Sequence, residues 1–165
     1  MSNSVLEMIM QRRSVRSFTG EQVTRSQLAT ILKAAMAAPS AGNGQPWRFL
    51  VLTDTVKIQE ICLAHPHASW GVKAGAVIVP YFEKQTKNYY IMQDMGAATQ
   101  NLLLAVAGLG LGATWCGMPE ERQELVRPAT GISEQYWIFA VIPVGVPAET
   151  PPPRTQYDDQ KILWQ

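Results

Sequence analysis

Apolar positions fall into two kinds of pattern along this chain. Val5, Leu6, Ile9 and Met10 repeat at helical spacing and predict a first helix over residues 3–12. Leu28, Ile31, Leu32, Ala35 and Met36 predict a second, with Thr24 as its cap and Pro39 as its stop. Ile91, Met95, Ala98, Leu102, Ala105 and Leu109 step by four and three and predict the longest helix, over 88–109. Residues 102–107 are apolar all round, which predicts burial on every side. Shorter helices are expected over 55–63 and, after Pro119, over 120–126. Residues 47–52 alternate and are rich in β-formers, and 74–82 form a continuous apolar run, the pattern of a strand covered on both faces. A third β-type run covers 137–146, interrupted by Pro143. Residues 39–46 are a loop by composition, 65–71 are irregular, and the prolines at 151–153 favour a stiff extended arm. Three strands interleaved with helices suggest two or three α/β layers, with no internal repeat.

Length and charge narrow this picture. The 165 residues fit one domain spanning the whole chain, long enough to bury a core without staples. Only 16% of residues are charged, against about 25% in a typical globular protein. With 47% hydrophobic residues this excludes disorder, and it suggests surface that does not face water in the working molecule. A net charge of +1 gives no basic footprint for nucleic acid. Cys62 and Cys116 form neither a disulfide framework nor a zinc-type pair, so a reducing, cytoplasmic setting is expected. No basic stretch followed by an apolar one opens the chain, so no secretory leader is expected. Residues 95–119 carry no charge, but Thr99, Gln100, Asn101 and repeated glycines, with no flanking Lys/Arg cluster, argue against a membrane span.

Candidate chemistry sits in a few places. Arg12, Arg13 and Arg16 surround Ser14, with no acidic residue between Glu7 and Glu21. Guanidinium forks suit phosphate, and a hydroxyl adds a donor; a solvated helix end explains the same cations. Residues 39–45 combine small side chains, which let a flat ligand approach the backbone, with the amides of Asn43 and Gln45, which both donate and accept. A plain helix-to-strand turn accounts for the same composition. Gly108, Gly110 and Gly112 follow a helix rather than a strand, with the wrong spacing for a dinucleotide fingerprint. His65 and His67 lack a third ligand, and no metal site is expected. No histidine or basic residue neighbours Cys116 in sequence to activate its thiol.

Four segments in order resemble the nitroreductase family of FMN-dependent oxidoreductases: RRSVRSF at 12–18, APSAGNGQPW at 38–47, QDMGAATQNLLLA at 93–105 and GLGATWCG at 110–117, followed by a basic residue, Arg154, in the C-terminal arm. The resemblance covers nearly the whole chain. It implies an α+β fold, a three-layer sandwich whose mixed, mainly antiparallel central sheet is flanked by helices. It also implies a homodimer in which an arm at about 147–165 packs on the partner.

By the same resemblance, Arg12 and Ser14 would hold the FMN phosphate, with Arg154 closing on it. Arg13 would lie near the ribityl chain, and Arg16 beside the pyrimidine side of the flavin. Pro39, Ser40, Ala41, Asn43 and Gln45 would come from the other subunit. Trp115, Cys116 and Gly117 would lie against the ring, with a backbone amide at its reactive nitrogen. The resemblance implies transfer from NADH or NADPH to a small organic acceptor by a ping-pong scheme, with no side chain as catalytic acid or base. The chain is short for the family, so the insertions that deepen a substrate pocket look reduced. That leaves open an FMN-binding or redox-sensing module with little turnover, and, from another class, a dimeric helical scaffold without cofactor.

Overall fold

The structure, a computed structural model, describes residues 4–153 and 156–165. In chain order it runs α1 (Ser4–Gln11), α2 (Arg25–Met36), β1 (Arg48–Leu52), α3 (Thr55–Ala64), β2 (Ala76–Glu83), α4 (Ile91–Gly108), β3 (Gly112–Ala113), β4 (Cys116–Gly117), α5 (Gln123–Thr130), β5 (Tyr136–Ile138) and β6 (Ala140–Gly145). β2 is the spine of the sheet. One edge pairs with β1; the other is shared by β6, opposite Ala76–Ile78, and β5, opposite Tyr81–Glu83. β3 and β4 both add to β6, and every one of these pairings is antiparallel.

The two-residue period of the strands divides the core. Ala76, Ile78 and Phe82 share one face with Ala140, Ile142 and Val144, and that face packs on Leu28, Ile31 and Ala35 of α2 and Met95, Ala98, Leu102 and Val106 of α4. Val77, Val79, Ile138 and Val141 point the other way, onto Ile58, Ile61 and Cys62 of α3 and Val126 of α5. The result is the expected three-layer α+β sandwich, and β2 is covered on both faces. Thr24 caps α2 as expected, in a reciprocal box: its hydroxyl accepts the Gln27 N–H, while the Gln27 side chain accepts the Thr24 N–H at 2.9 Å.

Two expectations change. The run 137–146 is two strands, and the break is not at Pro143. The register against β2 shifts by one residue between Ile138 and Ala140, a bulge opposite Pro80. Proline has no N–H to give the ladder, and there its carbonyl accepts the Phe139 N–H at 2.9 Å. Burial of residues 102–107 on every side is also not reached within one chain. Leu102, Leu103 and Val106 are buried, but Leu104, Ala105 and Ala107 remain partly exposed.

The segment after α1 is sewn into the sheet. The Val15 N–H donates to the Ala113 carbonyl at 3.1 Å, and the Thr114 hydroxyl donates to the Val15 carbonyl at 2.7 Å. Further along, the Thr19 N–H donates to the Val146 carbonyl and the Ala148 N–H to the Ser17 carbonyl. Val15 fits only because residue 112 has no side chain: a Cβ there would lie 2.7 Å from Val15 Cβ. Gly112→Ala is therefore expected to destabilise the protein by about 1–3 kcal/mol, the cost of overpacking, read as a lower urea midpoint with an unchanged slope.

Candidate functional site

β4 and the segment before it form one wall of a cavity of about 510 Å³. Trp115, Cys116 and Gly117 line it from that side, Arg16 from the sewn-in segment, and His65, His67, Ser69 and Trp70 from the turn after α3. The Arg16 guanidinium lies over the Trp70 ring, 6.0 Å from its centroid, and the Trp115 ring tilts against Phe139. A Cβ added at Gly117 would meet nothing within 4 Å, so the backbone there is open to a ligand. Two indoles, a cation and bare backbone can take a flat, electron-accepting ring.

Arg12 and Arg13 line a second cavity, of about 420 Å³, on the other side of the same segment, with Gly110, Leu111 and Glu149. Arg13 has bound carbonyls with several donors: Nε donates to Pro152 at 2.8 Å, and Nη1 to Met10 at 2.7 Å and to Arg12 at 2.9 Å. Its observed work is to tie the end of α1 to the start of the C-terminal arm. The Glu149 carboxylate accepts the Arg16 N–H. Ser14 makes the one parallel bridge among the described residues, to Ala113. Arg154 lies outside the described residues.

The loop at 39–45 lies elsewhere, and its Gly44 and Gln45 line a third cavity with Trp47, Arg48 and Glu83. Its backbone is strained: Asn43 and Gln45 hold φ of 56° and 45°, the left-handed region that favours glycine. What holds it is Asp94, the single charge of α4. This buried carboxylate accepts the Ala41 N–H at 2.9 Å on one oxygen and the Asn88 side-chain amide at 2.7 Å on the other. The Ser40 hydroxyl accepts the Gln45 N–H at 3.0 Å. Within one chain, then, Arg16, Trp115, Cys116 and Gly117 come together, Arg12 and Arg13 stand beside them, and Pro39, Ser40, Ala41, Asn43 and Gln45 form a separate, braced loop.

The nitroreductase family profile matches residues 9–74 and 63–146. An Archaeoglobus fulgidus protein described as "Putative NADH dehydrogenase/NAD(P)H nitroreductase" is 40% identical over 149 residues, 87% of this chain and 86% of that one. This chain belongs to the nitroreductase family. Among solved structures, a Bacteroides thetaiotaomicron protein of the same description superposes with a TM-score of 0.92 at 35% identity, over 99% of this chain and 98% of the other. A Desulfovibrio desulfuricans structure, titled a "putative nitroreductase in complex with fmn", gives 0.88 at 32% identity, over 100% of this chain and 98% of that one.

For this nitroreductase-family chain, sequence reading missed the turn at 65–70 and Asp94. His65 and His67 read as a failed metal pair, yet His65 is buried and bonded to β4. Asp94 could have been found as the lone charge in an otherwise uncharged helix. Cys116 also reads differently in space. Arg16 is near enough to pull its pKa down, but burial outweighs that and pushes the thiol up to about 11. Burial pushes Cys62 up to about 12, with Cys116 adding to the effect. Burial therefore disfavours both thiolates, and iodoacetamide at pH 8 is expected to leave both cysteines of the folded protein unmodified and to label both in denaturant, read by intact mass.

Proposed function

We propose that this chain is an FMN-dependent oxidoreductase that passes electrons from NADH or NADPH to a small organic acceptor such as a nitroaromatic or a quinone. The observation that carries the reading is the cavity in which Arg16 meets Trp115, Cys116 and Gly117, in a chain whose family includes a solved relative titled as an FMN complex. The residues fit the cofactor. A flat, two-indole cavity with an open glycine suits an isoalloxazine, and guanidinium groups with a serine hydroxyl on the adjoining extended segment suit a phosphate.

Arg12 and Ser14 would hold the phosphate, with Arg154 from the arm, and Arg13 would brace the ribityl side. FMN, when bound, supplies two-electron acceptance and release. Arg16 contributes a fixed positive charge where negative charge develops, in a site partly shielded from water. The β4 backbone contributes an amide donor, and Trp115 and Trp70 flank the ring. Donor and acceptor would use one cavity in turn, which is the ping-pong scheme. No side chain acts as a general acid or base.

A homodimer completes the reading. Apolar residues stand exposed at both ends of the chain: Val5, Leu6 and Met10 on α1, and Leu163 and Trp164 in the tail, the last two at 81% and 78% exposure. Patches of this kind mark interfaces. With the partly exposed Leu104 and Ala107 of α4 they would meet a second copy, whose braced loop 39–45 would cover the cofactor. No helix among the described residues is long and apolar enough to cross a membrane. A cytoplasmic setting belongs to the proposal on a separate ground, the two free cysteines Cys62 and Cys116.

Purified protein is expected to be yellow, with a flavin band in the blue, to sediment as a dimer, and to oxidise NAD(P)H with menadione or a nitroaromatic. A flavin-loaded protein that NAD(P)H cannot reduce would leave only a flavin-binding module. Arg12→Ala is expected to weaken FMN binding by about 1.5–3 kcal/mol, the scale of a charge-assisted hydrogen bond, with unchanged affinity in a flavin titration as the contrary result.

A further inference from the structure

His65 is the most buried titratable side chain among those lining the cavity, at 1% exposure, and the reaction described above does not use it. Two hydrogen bonds fix its state. The His67 N–H donates to Nδ1 at 3.1 Å, so Nδ1 must be the unprotonated nitrogen. The ring proton is therefore on Nε2, which faces the Gly117 carbonyl at 3.2 Å and donates to it. A second link runs alongside: the Cys116 thiol donates to the His67 carbonyl at 3.4 Å. The turn at 65–67 and β4 are thus joined across the cavity by two bonds, one through each residue of β4. β4 is only two residues long and pairs with β6 on its other side, so His65 supplies its principal hold on the α3 side.

We propose that His65 is a positioning residue: as the neutral Nε2–H tautomer it fixes the Gly117 peptide, and with it the backbone of β4 that meets the cofactor. The inference rests on the flavin reading of the cavity for its consequence, but not for the tautomer. A proton on Nδ1 would set two donors, Nδ1–H and the His67 N–H, against each other and break the bond inside the turn, while Nε2–H would go on donating to Gly117. The charged and titratable groups facing the imidazole are His67 on the same turn, Arg122 before α5 and the neutral thiol of Cys116 on β4. The two that can be cations oppose protonation, and burial, the largest cause, holds the imidazole below the ordinary histidine range. Near neutral pH both bonds are therefore intact; acid breaks only the one from His67, because the Gly117 carbonyl favours a protonated ring.

The test uses the full chain with and without FMN, as wild type, His65→Gln and His65→Asn. Glutamine keeps a donor that can reach Gly117; asparagine is one methylene shorter and cannot. At pH 8, His65→Asn is expected to bind FMN about five- to tenfold more weakly, with a shifted blue absorption band, and His65→Gln to stay within about twofold of wild type. Imidazole 15N spectra of the cofactor-free wild type should show Nε2 protonated and Nδ1 bare at pH 8. Equal affinities and spectra in all three proteins would overturn the proposal. So would a proton on Nδ1 at pH 8, and that reading decides the matter even if His65→Asn does not fold. A wild type that takes up no FMN would overturn the flavin reading instead, while the 15N spectra still test the hold on Gly117.

Discussion

The extended segment from Ser14 to Thr19 is the constraint on which the rest of the molecule depends. It is bonded on one side to Ala113 and Thr114, and on the other to Val146 and Ala148. It joins the loop between β3 and β4 to the start of the C-terminal arm, and it is the partition between two cavities. Arg16 faces one and Arg12 the other. Because the partition is backbone-bonded near both of its ends, the sheet fixes the backbone from which Arg16 extends. Arg13 adds to the same joint by binding carbonyls at Met10, Arg12 and Pro152.

Asp94 does for the loop at 39–45 what the sheet does for the arginines. Left-handed backbone at a non-glycine residue costs about 1–3 kcal/mol and persists only where the surroundings impose it. Asn43 and Gln45 both take that backbone, and a buried carboxylate on the longest helix holds the nearby Ala41 amide. Buried charge is itself costly unless fully hydrogen-bonded, and both oxygens of Asp94 have partners. The scarcity of charge along this chain thus has an exception at a place where an ionic group performs a structural task.

The sequence made the layers legible because the burial that selects them is periodic. The continuous apolar run of β2 reports cover on both faces and the four-and-three stepping of α4 reports one, and each is found where the pattern puts it. β3 and β4 were not legible. Two residues hold no period, and Gly112 reads as following a helix until β6 is seen beside it. The break in the 137–146 run was misplaced for a related reason: what decides it is Pro80, sixty residues away in the chain and adjacent across the ladder. Among the candidate residues, Arg12, Arg13, Ser14 and Arg16 stand out by residue type, and 115–117 by their place in the family's order. His65 does not, because what it makes is a bond to a backbone carbonyl, a group that every residue offers.

The raised pKa of Cys116 has a consequence for durability. A reduced flavin of the proposed kind would yield peroxide wherever oxygen reaches it. Peroxide attacks thiolates that it can reach, and the first product, a sulfenic acid, leads on to irreversible damage. Cys116 borders the proposed redox site, but its sulfur is buried and donates a hydrogen bond to the His67 carbonyl, and burial favours its protonated form. A thiol held in that way would be a poor target for such peroxide.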